Sequence, residues 1–252
     1  MNNTFLNISA LKISFLKMLL IVAAGIVLSS CLEERLKETE DFFEGYGDVY
    51  VQKKMVNGET VYAPFYFLQG NTSVQSASVE TPGGETVELE AFEYLDTYFK
   101  KPADEEFSAT MIETGTYQFK GSFGDNKPFT IEDSFYAHII DFPVIDSIGI
   151  DSIGYQVFLF WDPVVDADVY KVNLVNNTGN VVFDGPALTS ESNAFVFNIE
   201  TVGWKTTPYI GDIFTLQLHA FSFDEEADDT NWFYNIECNA YSETQITWGS
   251  PN

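Results

Sequence analysis

From Gly45 onward the chain alternates apolar and polar residues with a period of two, in short runs separated by Gly, Pro and Asn. No long stretch carries the 3.6-residue period of an amphipathic helix, so this part of the chain must bury its apolar side chains through strands. The strongest turn signal is Asn57-Gly58, between the runs Val49–Val56 and Glu59–Leu68, because both residues accept the positive φ of a two-residue hairpin turn. Further strands are expected at Ser73–Glu80, Thr86–Phe92, Phe107–Ile112, Thr116–Gly121 and Phe129–Phe135, with turns at Pro82-Gly83-Gly84 and Gly124-Asp125-Asn126. Many short strands at this spacing predict an all-β sandwich or barrel. Hydrophobic residues make up 45% of the chain, with 23 Phe and 13 Tyr among them, so each domain can live on its core.

Two sets of residues sharpen that expectation. Glu113-Thr114-Gly115-Thr116-Tyr117-Gln118-Phe119 resembles the stretch that enters strand F of immunoglobulin-like domains, where the tyrosine hydroxyl bonds back to the corner backbone. Phe119 stands at the position of the second immunoglobulin cysteine, which excludes the inter-sheet disulfide but not the sandwich. Further on, Val157-Phe158-Leu159-Phe160-Trp161-Asp162-Pro163, Tyr170-Lys171-Val172-Asn173-Leu174 and Phe214-Thr215-Leu216-Gln217-Leu218-His219-Ala220 are similar, in order, to strands B, C and F of a fibronectin type III domain. The resemblance implies a C to C′ turn at Asn177-Thr178-Gly179-Asn180 and strand E at Ala194–Ile199. Phe214 lacks the hydroxyl of the usual tyrosine, so a corner bond would have to come from elsewhere, with Tyr209 as the candidate. Between the halves, the tandem Asp-Ser-Ile-Gly of Asp146–Gly154 is read as a slipped duplication in a linker; its isoleucines zipping onto the next strand is the alternative.

The N-terminal segment gives an address. Lys12 and Lys17 precede an apolar run, Met18 to Leu28, too short at ~1.5 Å per residue to span ~30 Å of hydrocarbon. It ends in Leu28-Ser29-Ser30-Cys31, which resembles a bacterial lipobox. The resemblance implies acylation of Cys31, with palmitate-type chains at roughly 0.8 kcal/mol per buried CH₂, and cleavage of the signal peptide before it. Leu32-Glu33-Glu34, followed by Glu38, Glu40, Asp41 and Glu44, resembles the acidic surface-export signal of Bacteroidetes lipoproteins, implying an outer membrane and an outward face; a merely solvated acidic tether is the other reading. Fully extended, Leu32 to Gly45 would reach about 45 Å.

Charge limits the partners. With 12 Lys+Arg against 38 Asp+Glu, a net −26, and Arg35 as the lone arginine, no basic patch can be assembled. Nucleic acid is therefore excluded as a partner, anionic surfaces would be repelled, and divalent cations would be welcome. If Cys31 is acylated, only Cys238 remains and no intramolecular disulfide can form. Alternation with Tyr234, Ile236 and Ala240 puts Cys238 on the apolar face, a core residue and not a nucleophile.

Candidate chemistry is sparse. His219 is expected to point outward with Thr215, Gln217 and Phe221, His138 has no companion ligand, and neither a paired-cysteine nor a His-x-x-x-His spacing occurs. No catalytic residue, cofactor or metal site is therefore assigned. The acidic loop Asp224-Glu225-Glu226-Ala227-Asp228-Asp229 is the best calcium candidate, through Asp224, Glu226, Asp228 and Asp229, against the plainer reading of a solvated loop. Asp162, Asp166 and Asp168 repeat the idea in the B–C connection, and the two loops would share one end of a fibronectin-type sandwich. Trp204 and Trp232 could stack on sugar rings, although most aromatics in a disulfide-free sandwich are core.

The reading is an all-β chain in four parts: a lipoprotein signal peptide over 1–30, a lipidated acidic tether over 31–45, an immunoglobulin-like β-sandwich over 46–141, and a fibronectin type III-like β-sandwich over 142–252 with a short linker at its start. It is held to the membrane by a lipid anchor and is not an enzyme. The expected role is binding an envelope protein, or serving as an accessory subunit of an outer-membrane assembly. The alternative is a glycan-binding lipoprotein of a polysaccharide uptake system.

Overall fold

Asn57 and Gly58 take φ of 53° and 84°, the pair of positive values that lets a two-residue turn follow the twist of its strands. They fold β1 (Gly45–Val56) antiparallel onto β2 (Glu59–Gly70) along its whole length, from Val56 opposite Glu59 to Gly45 opposite Gly70. This computed structural model describes residues 43–92, 96–151, 155–224, 227 and 235–249. The signal peptide, Cys31 and the tether up to residue 42 lie outside the described residues. Among those that are described, no helix is long and apolar enough to cross a membrane.

The first half continues through β3 (Val74–Glu80), β4 (Thr86–Glu88), β5 (Glu90–Ala91), β6 (Thr97–Lys100), β7 (Gly115–Phe123) and β8 (Lys127–Phe135). They form two layers, ordered β1-β2-β6-β5 and β4-β3-β7-β8, which is the A-B-E-D and C′-C-F-G arrangement of an immunoglobulin-like sandwich. Tyr66 of β2 meets Tyr117 of β7 across the layers at 6.0 Å between ring centroids. The tyrosine corner expected from Glu113–Tyr117 is present: the Tyr117 hydroxyl donates to the Glu113 carbonyl at 2.7 Å, and burial followed by Glu113 pushes that hydroxyl up to about 12. Tyr117→Phe should cost about 1 kcal/mol, the net worth of one such bond, and lower the midpoint of a thermal melt by about 2–4 °C. An unchanged midpoint would mean the corner is held by packing alone.

Local expectations for this half need correction, and Thr86–Phe92 is not one strand but two, β4 and β5, in different layers. Phe107–Ile112 is not a strand; none of its residues is buried, so nothing anchors it, and only Ser108 bridges back to Tyr62. Thr97–Lys100, unassigned in the sequence reading, is a strand because Phe99 and Tyr98 pair with Phe67 and Leu68 of β2.

The second half comprises β9 (Val144–Asp151), β10 (Gln156–Asp162), β11 (Val169–Val175), β12 (Val181–Asp184), β13 (Leu188–Thr189), β14 (Ala194–Phe197), β15 (Ile213–Phe223) and β16 (Ile236–Thr247). Its layers run β14-β10-β9 and β12-β11-β15-β16, the E-B-A and C′-C-F-G order of a fibronectin type III sandwich. Trp161 is buried beside Tyr170 with ring centroids 5.5 Å apart, and the Tyr170 hydroxyl accepts the Val164 N–H. The linker expected at the start of this half is instead strand β9, with Ile148 opposite Leu159 and Ile150 opposite Val157. Apolar partners across the ladder give those isoleucines a place that a linker would leave in water. Tyr209 does not replace the missing corner tyrosine. It is 74% exposed, and the turn is held by Asp212, whose carboxylate accepts the Tyr209 N–H at 2.8 Å.

The halves do not merely follow one another. Strand β1 pairs in parallel with β16, Val51 opposite Cys238, Gln52 opposite Asn239 and Lys53 opposite Ala240. A single nine-stranded sheet results, in the order β12-β11-β15-β16-β1-β2-β6-β5 with β13 set beside β11, and Gly45–Asn252 is one compact unit. At this junction both strands lose their alternation. Residues 47–53 and 237–241 are buried without interruption, as happens when a strand is covered on both faces.

Candidate functional site

Burial of both faces has a chemical consequence, because the side chains that alternation would have put in water are polar. Asp48 on β1 is fully buried and Glu237 on β16 is 1% exposed. Beside them are Asp133 on β8 and Asp224 at the end of β15. A cavity of about 430 Å³ opens here, lined by Asp133, Tyr136, His138, Phe223, Asp224 and Glu237, among others.

The backbone around the cavity is arranged to hold these acids. Glu237 Oε1 accepts the N–H groups of Tyr136 and His138, both at 2.9 Å. The residue between them, Ala137, has φ of 64°, a left-handed conformation that disfavours a residue with a Cβ by roughly 1–2 kcal/mol. That turn lets two N–H groups converge on one oxygen. Asp133 Oδ2 accepts the Val49 N–H at 2.7 Å, tying β8 to β1, and Asp48 Oδ2 accepts the Ile236 N–H at 3.3 Å. The remaining oxygens, Asp48 Oδ1 and Glu237 Oε2, are buried without a hydrogen-bond partner.

Electrostatics follow from that geometry. Burial raises the Asp48 carboxyl well above its ordinary range, and Asp133, Asp224 and Glu237 add to the effect while the Ile236 N–H opposes it. Burial also raises Asp133, to about 6, against the pull of the Val49 and Ser134 N–H groups and with a further push from Glu237. Neither has a lysine or arginine among its perturbing neighbours. Lys53, the cation buried at the junction, is turned to the Ile140 carbonyl at 2.7 Å and lies 4.4 Å from the centre of the Phe142 ring.

The residues singled out by sequence fall in several places. Asp224 is at this cavity, whereas Glu226, Asp228, Asp229 and Trp232 lie outside the described residues, as does Cys31. The two acidic connections do share an end of the second sandwich: Asp168 Oδ2 accepts the Phe223 N–H at 2.8 Å, which gives Asp168 a structural task. Trp204 is half-buried, edge-on to Trp248 at 5.0 Å and tilted against Phe183 at 4.9 Å, with its indole N–H given to the Asn198 carbonyl at 2.8 Å. Cys238 is fully buried, and burial pushes its thiol up to about 11, consistent with a core role.

His219 needs correction, since it does not point into solvent. It is 8% exposed, stacked on Tyr241 at 4.9 Å and beside Phe221 at 5.9 Å, with Nδ1 3.0 Å from Asn239 Oδ1. Burial lowers it to about 4, so it is neutral at pH 7. His138 is exposed, 4.0 Å from Asp166. Asp48 and Glu237 escaped the sequence reading because each sits where alternation assigns a solvent-facing position, whereas Asp133 shares the face of Phe129, Ile131 and Phe135 on β8. The pairing of β1 with β16, which reverses that assignment, joins residues about as far apart as the folded chain allows.

The chain matches no protein-family profile and no curated protein sequence. Among solved structures it is similar to a two-domain fibronectin type III segment of chicken tenascin, at 15% identity over 81% of this chain and 99% of that one, with a TM-score of 0.28. It is also similar to a tetra-tandem repeat from the extending region of a large adhesion protein, at 12% identity over 81% of this chain with a TM-score of 0.25. A third is the BSP domain of a biofilm-associated protein, at 13% identity over 79% of this chain with a TM-score of 0.23. The chain spans 50% and 29% of the length of these last two. Such low scores carry no argument about function, and the fold rests on the strand order described above.

Proposed function

We propose that this chain is a non-catalytic envelope lipoprotein, acylated at Cys31, held on the outer membrane with its sandwiches facing outward, and binding a protein partner as an accessory subunit. The anchor reading is supported by the lipobox-like Leu28–Cys31 and the acidic stretch behind it. The observation that carries the protein-binding reading is the connection between β14 and β15 with the first residue of β15. It presents Val202, Tyr209, Ile210 and Ile213 at 60–88% exposure, and several exposed apolar side chains along one connection favour a protein surface as their cover.

The test is crosslinking on intact cells with the tagged full-length chain, beside the same chain carrying Tyr209→Ala and Ile210→Glu. A stoichiometric envelope protein captured by the first and lost by the second, with an unchanged melting temperature, is the expected result. Retention on a polysaccharide gel that both chains share, with no captured protein, would move the assignment to glycan uptake. Cys31→Ser should release the chain from the membrane fraction and abolish incorporation of labelled palmitate; a variant still membrane-bound would remove the anchor from the proposal.

A further inference from the structure

We propose that the junction cavity is a binding site for one divalent cation of the calcium class, with Glu237, Asp133 and Asp224 as its carboxylate ligands and Asp48 as the buried carboxyl behind them. Charge is the first argument. Carboxylates from β1, β8, β16 and the end of β15 are gathered in one place, and among the described residues no lysine or arginine pairs with Asp48, Asp133 or Glu237. A fold that assembles like charges away from water needs something positive to offset them.

The second argument is independent of the charge count. Glu237 lines the cavity, is 1% exposed, and keeps Oε2 buried with no hydrogen-bond partner. Its other oxygen is fixed by two N–H groups through the left-handed Ala137. The carboxylate is thus oriented in advance with one oxygen unclaimed, and Asp48 Oδ1 is sealed in the same unpartnered state.

Ligand chemistry decides which cation. The groups on offer are carboxylates, the Asn235 amide and the Ser134 hydroxyl, with the His138 imidazole as the lone ring nitrogen and no thiol in the lining. Oxygen donors of this kind suit a hard cation, and Ca²⁺ takes six to eight of them in flexible geometry, waters included. A cavity of about 430 Å³ has room for an ion with several waters. As the side chains stand, no three histidine, cysteine or carboxylate groups among the described residues are close enough to hold an ion. Occupancy would draw the half-buried Asp133 and Asp224 toward the fixed Glu237, and would tie β8 of the first half to β16 of the second.

The experiment is titration calorimetry of the full chain with CaCl₂ at pH 7.5, with thermal melts in EGTA and in excess Ca²⁺. A one-site isotherm is expected, with a rise in melting temperature of about 5–10 °C at a hundredfold excess over Kd. Glu237→Gln keeps an acceptor for both N–H groups, and Asp133→Asn keeps one for Val49; each should abolish the calcium-dependent rise while melting in EGTA no lower than the parent. No isotherm with Ca²⁺ and identical melts of the parent in both buffers would overturn the site, leaving protons as what offsets these acids. If Glu237→Gln fails to fold, the parent's calorimetry and the Asp133→Asn melts decide the question.

Discussion

Alanine at Phe119 is expected to lower the melting temperature by about 10 °C, and to do so for the tryptophan fluorescence although every tryptophan is in the other half of the unit. Phe119 is fully buried on β7, between Val79 of β3 and Ile131 of β8. Its ring also lies so close to Gly47 of β1 that a Cβ there would overlap it. Truncating such a ring costs about 3–5 kcal/mol, and a unit of this size loses about 2–4 °C per kcal/mol. Trp161, Trp204, Trp232 and Trp248 all lie beyond residue 142, so fluorescence reports on the second sandwich alone. If the β1–β16 ladder makes the two sandwiches one cooperative unit, the fluorescence transition falls together with the tyrosine signal in the near-ultraviolet. A fluorescence transition that stays put while the tyrosine signal shifts would show two sandwiches that unfold separately, and the nine-stranded sheet would then be no cooperative element.

That coupling also marks the limit of what alternation and motifs can convey. The Asn57-Gly58 hairpin, the Tyr117 corner and the buried Trp161 were legible because each is decided within about ten residues: a turn demanding positive φ, a hydroxyl reaching back to the turn that enters its own strand, a ring between neighbouring strands. For strand β9 the linker expectation fails and the alternative, isoleucines zipped onto the next strand, holds, because its partner β10 carries the reason for it, through Trp161, Leu159 and Val157 opposite Ile145, Ile148 and Ile150. The junction cavity was invisible for a stronger version of the same cause. Asp48 and Glu237 look like solvent-facing members of half-buried strands, and His219 looks exposed, because period-two reasoning assumes that only one face of a strand is covered. Only Asp224 of the cavity was legible, as part of an acidic loop whose neighbours suggested calcium without saying where the other ligands were.

The same acids predict how stability should move with pH in metal-free buffer, where no cation can mask them. Asp133 has its proton affinity raised in the folded state to about 6, from an ordinary 3.8. Between those values the folded chain holds a proton that the unfolded chain has released. Ionised burial therefore weakens the fold fully above about pH 6, and the penalty is lifted as pH falls through 6 toward 3.8. The shift corresponds to on the order of 2–3 kcal/mol, and Asp48 acts in the same direction. His219 works against both, since its folded value is lowered to about 4 from 6.5. Its contribution is present above 6.5 and is lost as pH falls toward 4. His219 offsets one of the two acids and not both, so wild-type stability should rise as pH falls from 8 to 4.5. Asp133→Asn isolates one acid: it should stabilise the chain by about 2–3 kcal/mol at pH 8 and by little at pH 4.5, as read from urea midpoints in EGTA. A gain of equal size at both pH values would mean that the substitution acts through packing or the Val49 hydrogen bond, and that the carboxylate at 133 ionises without cost in the folded protein.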